Sequence, residues 1–275
     1  MVRKRSGAVV CPGCGRLVDV NEPVCPYCGR TSPGMFGYGP ALQRVLGSFD
    51  LGVAVIGACV VLYVLSLLLE PRAIFRMAGM FDILAPSGEA LARLGMTGRY
   101  ESWVAPWWTV FTAIFLHGSL LHLLFNMVIM RQFLAQVVEL YGSARAWVIF
   151  VVAGAVGFAV SNLAAGVPTM GASGAIFGLL AALIVYGRRT RQHAVTQQLW
   201  TSAVVMFLFG FVMPRVNVWA HAGGFAGGFV AAEALSFAGR RESPMLLVLA
   251  WASALIVLAS FALQLVGIAR ALLRG

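Results

Sequence analysis

Charge is scarce in this sequence. Only 11% of its 275 residues are Asp, Glu, Lys or Arg, and ten are acidic. Soluble domains carry about a quarter charged residues, so an ordinary water-exposed surface is excluded. The N-terminus lacks the apolar stretch of a secretory signal, because a Cys/Pro/Gly segment follows Arg3-Lys4-Arg5. No H-E-x-x-H pattern occurs and no Glu lies near His122, which disfavours a zinc hydrolase. No repeat of the inverted kind appears, which disfavours a small-solute transporter.

What fills the chain instead is apolar side chain, 60% of all residues. Several runs approach or exceed the roughly 20 apolar residues that span a bilayer. The expected fold is an all-α polytopic membrane protein in the cell membrane, with the lipid bilayer as its solvent. Seven spans are predicted, at about 51–69, 110–138, 146–165, 173–186, 199–213, 218–237 and 245–268. The first six form a core and the seventh is an extra C-terminal helix, within a transmembrane domain over 51–270. The stretch 70–106 is too interrupted to span and reads as an amphipathic excursion in the interface, closed by Trp103, Trp107 and Trp108.

The formal charge of +10 would suit a nucleic-acid partner. The basic residues, however, fall between and beside the apolar runs, as the positive-inside rule describes. No nucleic acid is expected. With the N-terminus in the cytosol, thirteen of the twenty Lys and Arg residues lie inside, including Arg188, Arg189, Arg191, Arg240 and Arg241 in short loops. The C-terminus is then outside.

Residues 1–34 are a separate small unit. Cys11-Pro-Gly-Cys14-Gly and Cys25-Pro-Tyr-Cys28-Gly are near-copies of one knuckle. Four thiolates at this spacing suit a structural zinc ion, and so short a segment needs a metal or staple to fold. Two disulfides or a redox C-x-x-C are the other readings. Disulfides need an oxidising compartment, and this end is placed in the cytosol. A four-cysteine site leaves no open position for catalysis, so no cofactor is expected to take part in chemistry. The segment resembles a zinc ribbon, whose cytosolic partner, if it has one, is not readable. Residues 35–50 read as a Gly/Pro-rich linker.

Within the spans, polar residues are few and fall at one depth. Ser173 lies in Gly171-Ala172-Ser173-Gly174 at the mouth of the fourth span. His221 lies in Ala220-His221-Ala222-Gly223-Gly224 on the sixth, and His122 and Asn126 share a face of the second. Counted from the inner helix ends, His122, Ser173 and His221 stand about 26, 22 and 28 Å up a hydrocarbon layer of about 30 Å. Polar groups there usually face a bundle interior or a wet cavity. Gly174 with Gly178, and Gly224 with Gly228, let the fourth and sixth helices approach closely. Spacing alone leaves two readings, a catalytic Ser–His pair or structural polar residues on a tight seam. His117 reads as structural or interfacial.

Taken together, the Gly171–Gly174, Ala220–Gly224 and His122-Leu-Leu-Phe-Asn126 motifs, with the run from Phe115 to His122, resemble the rhomboid intramembrane serine proteases over about 107–237. The resemblance implies a Ser–His dyad with Ser173 as nucleophile and His221 as general base. It implies an oxyanion hole of His122, Asn126 and the Ser173 N–H. The implied substrates are transmembrane-anchored proteins, cut near the outer membrane face. The implied alternative is a non-catalytic relative that grips helices without cutting. Two departures stand out: Thr109 follows Trp108 where many members have Arg, and Phe177 stands where some have Tyr.

Overall fold

A computed structural model describes residues 5–11, 14–29, 31–34, 50–75, 79, 82–100, 103–213, 216–236 and 243–272. The predicted linker lies outside these residues except for Asp50, and so do Arg240 and Arg241. The chain divides into two compact units, Met1–Ala54 and Val55–Gly275.

The first unit is built on two short antiparallel strands, β1 (Ala8–Val10) and β2 (Leu17–Asp19), with Val9 opposite Val18. Alternation puts Val9 and Val18 on the inner face, where they join Val20, Cys11 and Cys25 in a core of five buried residues. That is too little apolar area to hold a fold unaided.

The second unit is helical. Helix α1 (Leu51–Leu69) begins in the first unit and coincides with the first predicted span. After it come a 3-10 turn (Pro71–Phe75), a short helix α2 (Gly88–Leu94) and a hairpin of β3 (Arg99–Tyr100) and β4 (Trp103–Val104). Helix α2 is bounded by its own chemistry. The Ser87 hydroxyl accepts from the Ala90 N–H at 3.0 Å, and Gly95 closes the helix at φ 102°. Its Ala90, Leu91 and Leu94 are buried, so one face of the excursion packs inward.

The second predicted span is not one helix. A single turn, α3 (Thr109–Thr112), passes into a 3-10 turn (Ala113–Phe115), and Leu116 is extended. Helix α4 (Leu120–Tyr141) starts afresh, because the Ser119 hydroxyl caps it by accepting from the His122 N–H at 3.2 Å. The apolar run is continuous through this break, so hydropathy alone hides it. Gly142 alone turns α4 into α5 (Ser143–Ala164) at φ 85°. Then follow α6 (Ser173–Arg189), α7 (His193–Val212), α8 (Val218–Ser236) and α9 (Pro244–Leu272).

Five described helices, α1, α4, α5, α7 and α9, are long and apolar enough to cross a membrane. The fourth and sixth predicted spans are helices at the expected places but fall short of that measure. Helix α6 has 17 residues, and ten of the nineteen in α8 are Gly or Ala. Their setting accounts for this. Helices α5, α6 and α8 make the most extensive packing in the molecule, and 13 of the 17 residues of α6 are buried. An inner helix meets side chains rather than lipid, so small residues serve it better than a long apolar surface. Helix α7, by contrast, buries only Ala203 and Gly210.

Glycine makes the seam between α6 and α8. A Cβ at Gly224 would overlap the Gly174 backbone, and one at Gly228 would overlap the Gly178 backbone. A Cβ at Gly157 on α5 would lie 2.6 Å from the Ala220 carbonyl oxygen. Backbone therefore meets backbone along the predicted G-x-x-x-G faces. At the far end of α6 from Ser173, Arg189 pairs with Glu233 of α8. Both side chains are about one-third exposed, so the pair contributes at most about 1 kcal/mol.

Candidate active site and metal cluster

The seam brings Ser173 and His221 together. Ser173 is the first residue of α6 and His221 the fourth of α8. The Ser173 Oγ lies 2.8 Å from the His221 Nε2, a direct hydrogen bond. His221 is 8% exposed, and its Nδ1 has no hydrogen-bond partner. No carboxylate therefore completes a triad among the described residues. The Phe177 ring instead stacks on the imidazole at 4.5 Å between centroids and 25° between planes. Phe177 is four residues after Ser173 on the same helix face. With the Nδ1 proton in place, Nε2 accepts the serine hydroxyl hydrogen, the geometry a general base requires.

Two further expected residues converge on the same place. Gly171 adopts φ +125°, and a Cβ there would come within 2.8 Å of the His122 Cε1 and Nε2 and 3.9 Å of the Ser173 Oγ. Glycine at 171 thus answers both a left-handed backbone and a lack of room. The His122 ring borders the nucleophile's approach. The Asn126 side-chain N–H donates to the His122 carbonyl at 2.8 Å, and its Oδ1 is buried without a partner. The start of α6 also leaves first-turn N–H groups outside the helical ladder, at the positive end of its dipole.

His117 proves closer to this site than its sequence position suggests. It is fully buried, neither ring nitrogen has a hydrogen-bond partner, and it meets His122 edge-on at 5.1 Å. The break before α4 folds it back onto the ring five residues later.

Sequence reading missed the residues that hold the site in place. Asn217 precedes α8 and donates to the Ser161 Oγ at 2.7 Å and the Thr169 Oγ1 at 2.9 Å. Its Oδ1 accepts from the N–H groups of Trp219 and Ala220. One amide thus caps the histidine helix and ties it to α5 and to the loop before Ser173. Thr97 and Thr169 exchange backbone hydrogen bonds at 3.1 and 2.8 Å, linking the 70–106 excursion to that loop. The cap pattern of Asn217 was visible in sequence, but its partners, 48 and 56 residues away, were not. Asn217→Ala is expected to cost about 1–3 kcal/mol, from the lost cap and the polar groups left unpaired. A drop in the thermal midpoint of the purified protein measures it.

The four N-terminal cysteines form the second cluster. Their sulfurs all lie within 4.8 Å of one another, with Cys11–Cys28 at 3.8 Å and Cys14–Cys25 at 3.7 Å. Four sulfurs each about 2.3 Å from one ion stand about 3.8 Å apart at the corners of a tetrahedron. Both knuckles close alike: the Gly15 N–H bonds to the Cys11 carbonyl, and the Gly29 N–H to the Cys25 carbonyl, with φ +73° and +72°. Burial pushes the Cys25 thiol up, but the N–H groups of Tyr27 and Cys28 and the thiols of Cys28 and Cys11 outweigh it and bring it down to about 7. The cluster is chemically suited to hold a metal ion.

Residues 104–237 match the family model described as the rhomboid domain. Over 133 residues the chain is 36% identical to the protein named rhomboid protease GluP of Bacillus subtilis (strain 168), a match covering 47% of this chain and 26% of that one. It is 31% identical over 157 residues to RHOMBOID-like protein 5 of Arabidopsis thaliana, covering 54% and 50%. It is also 31% identical over 137 residues to a protein named inactive rhomboid protein 1 of Danio rerio, covering 46% and 15%. The chain thus spans half or less of the length of these relatives. Through this domain it belongs to the rhomboid family. It is an integral membrane protein carrying, at its N-terminus, a four-cysteine cluster of zinc-ribbon type.

Proposed function

We propose that the chain is an intramembrane serine endopeptidase that cuts transmembrane-anchored proteins near the outer membrane face. The observation that carries this reading is the 2.8 Å bond between the Ser173 hydroxyl and the His221 Nε2 inside an apolar bundle. The Ser173 Oγ attacks the scissile carbonyl carbon while the His221 Nε2 takes its proton. The tetrahedral oxyanion is met by donors from His122, Asn126 and the Ser173 N–H. The imidazolium then gives its proton to the leaving amine, the C–N bond breaks and an acyl-serine remains. Water, deprotonated by the same imidazole, releases the acid and restores the hydroxyl. Phe177 keeps the ring plane where a third acidic residue is lacking.

The orientation that suits this chemistry is the one given by the positive-inside rule, with the N-terminus cytosolic and the dyad opening outward in the cell membrane. A second reading has specific support, since one similar protein is named inactive. On it, the chain would bind transmembrane helices without cutting them. Keeping both Ser173 and His221 in bonding contact favours the enzyme. The discriminating experiment compares released ectodomains from cells making the wild-type chain or Ser173→Ala. A set of fragments seen only with wild type is expected, and identical profiles would sink the protease reading.

The cysteine cluster is proposed to bind one structural zinc ion through Cys11, Cys14, Cys25 and Cys28. Metal analysis of the purified chain should find one zinc per chain, and Cys11→Ser should lose it. Because protons compete for the thiolates, zinc affinity should fall as pH is lowered. Undiminished zinc in Cys11→Ser would contradict this assignment.

A further inference from the structure

Helix α9 is apolar along most of its 29 residues and carries one carboxamide, Gln264. All of that amide's hydrogen bonds in the structure leave the helix for one stretch of chain, the end of the 70–106 excursion. The Gln264 Oε1 accepts from the Trp108 indole N–H at 3.0 Å. Its Nε2 donates to the carbonyls of Ala92 and Arg93 at 3.2 and 3.3 Å. These carbonyls belong to the last turn of α2, where helical carbonyls lack their own partners. A Cβ at Gly95 would sit 3.1 Å from the Gln264 Cγ, so the loop closes tightly over the amide.

From there a continuous path leads to the nucleophile. The Thr112 hydroxyl donates to the Gly95 carbonyl at 2.7 Å. The next residue, Ala113, accepts from the Gly171 N–H at 2.9 Å. Gly171 stands two residues before Ser173, beside the His122 ring. Phe261, one turn before Gln264, meets Phe115 at 6.0 Å between centroids and braces the same 3-10 turn. Apolar packing alone would let α9 slide or rotate on its neighbours. Three directional bonds to two backbone carbonyls and an indole set its register.

We infer that Gln264 is a positioning residue: it fastens the 88–113 segment to the C-terminal helix and so fixes the turn against which the Ser173 loop is hung. The rate consequence rests on the protease reading, while the tethering does not. Because the path ends at the nucleophile's loop, loss of the amide slows the chemical step more than substrate binding.

The test uses the full chain in detergent with Gln264→Leu, which keeps volume and removes every bond, and Gln264→Glu, which keeps an acceptor for Trp108 and loses the donor. Hydrogen exchange of the 88–96 amides should quicken about 10-fold in Gln264→Leu while that of the α6 core stays unchanged. For a cleaved single-span protein, kcat should fall about 5-fold per folded molecule with KM within about twofold. Gln264→Glu should show the same signs in smaller measure, and carries the test should Gln264→Leu fail to fold. Unchanged exchange at 88–96, or quickened exchange with unaltered kcat, overturns the assignment. A wild type that neither cleaves nor reacts with a fluorophosphonate would remove the protease reading instead, and exchange alone would then decide the tether.

Discussion

Gly228→Val is expected to abolish the folded bundle. The added Cβ would fall within the Gly178 backbone on the facing helix, with the Gly178 carbonyl carbon 2.6 Å away. Backbone has no rotamer in which to retreat, so the two helices must part. Overpacking a core costs about 1–3 kcal/mol when side chains can yield. Here the partner is main chain on both sides, which puts the effect above about 4 kcal/mol. That is most of the 5–15 kcal/mol that holds a typical fold. The same separation would pull Ser173 from His221, so any surviving protein should be inactive. Gly57 and Gly267, where a Cβ meets nothing within 4 Å, are the controls. Alanine at either should be neutral or slightly stabilising, since it favours a helix by up to about 1 kcal/mol over glycine. Thermal unfolding of the three variants checks the contrast. A stable, wild-type-like Gly228→Val would show that α6 and α8 do not meet backbone to backbone.

The second large effect concerns the base. His221→Ala leaves the Ser173 hydroxyl with no acceptor for its proton. On the proposed mechanism the rate should fall by about 10³–10⁶-fold, since residues acting as one unit each cost nearly as much as the whole. Phe177→Ala should cost far less, about 10-fold, because it frees the ring without removing it. The order of the two effects is the informative part. Equal losses would mean that ring orientation, rather than proton transfer, is what the histidine supplies.

Much of this architecture could be read from the chain, and the parts that could not share a cause. The first predicted span and α1 have the same ends, because an unbroken apolar run bounded by Asp50 and Glu70 leaves little choice. The meeting of α6 and α8 was legible as two G-x-x-x-G faces, since small residues at that spacing have few other uses in a membrane. The break at His117-Gly118-Ser119 was not, because it lies within continuous hydropathy and depends on one serine capping the next helix. Likewise the short inner helices α6 and α8 read as ordinary spans, although burial among other helices frees them from the bilayer's length rule. Asn217, Thr97, Thr169 and Gln264 escaped notice because their partners stand far away in sequence, and local patterns carry no record of such pairings. Ser173, His221, His122 and Asn126 could be nominated together only because all four combine a polar group with a membrane setting that penalises idle ones.

The central claim is that one hydroxyl, on the first residue of α6, is made nucleophilic by the imidazole on α8. Peptide mapping by mass spectrometry after fluorophosphonate treatment of the detergent-solubilised chain tests it most directly. The account predicts a single phosphonylated residue, Ser173, and no adduct when His221 is replaced by alanine. An adduct on another residue, or equal modification of Ser173 with and without His221, would contradict it.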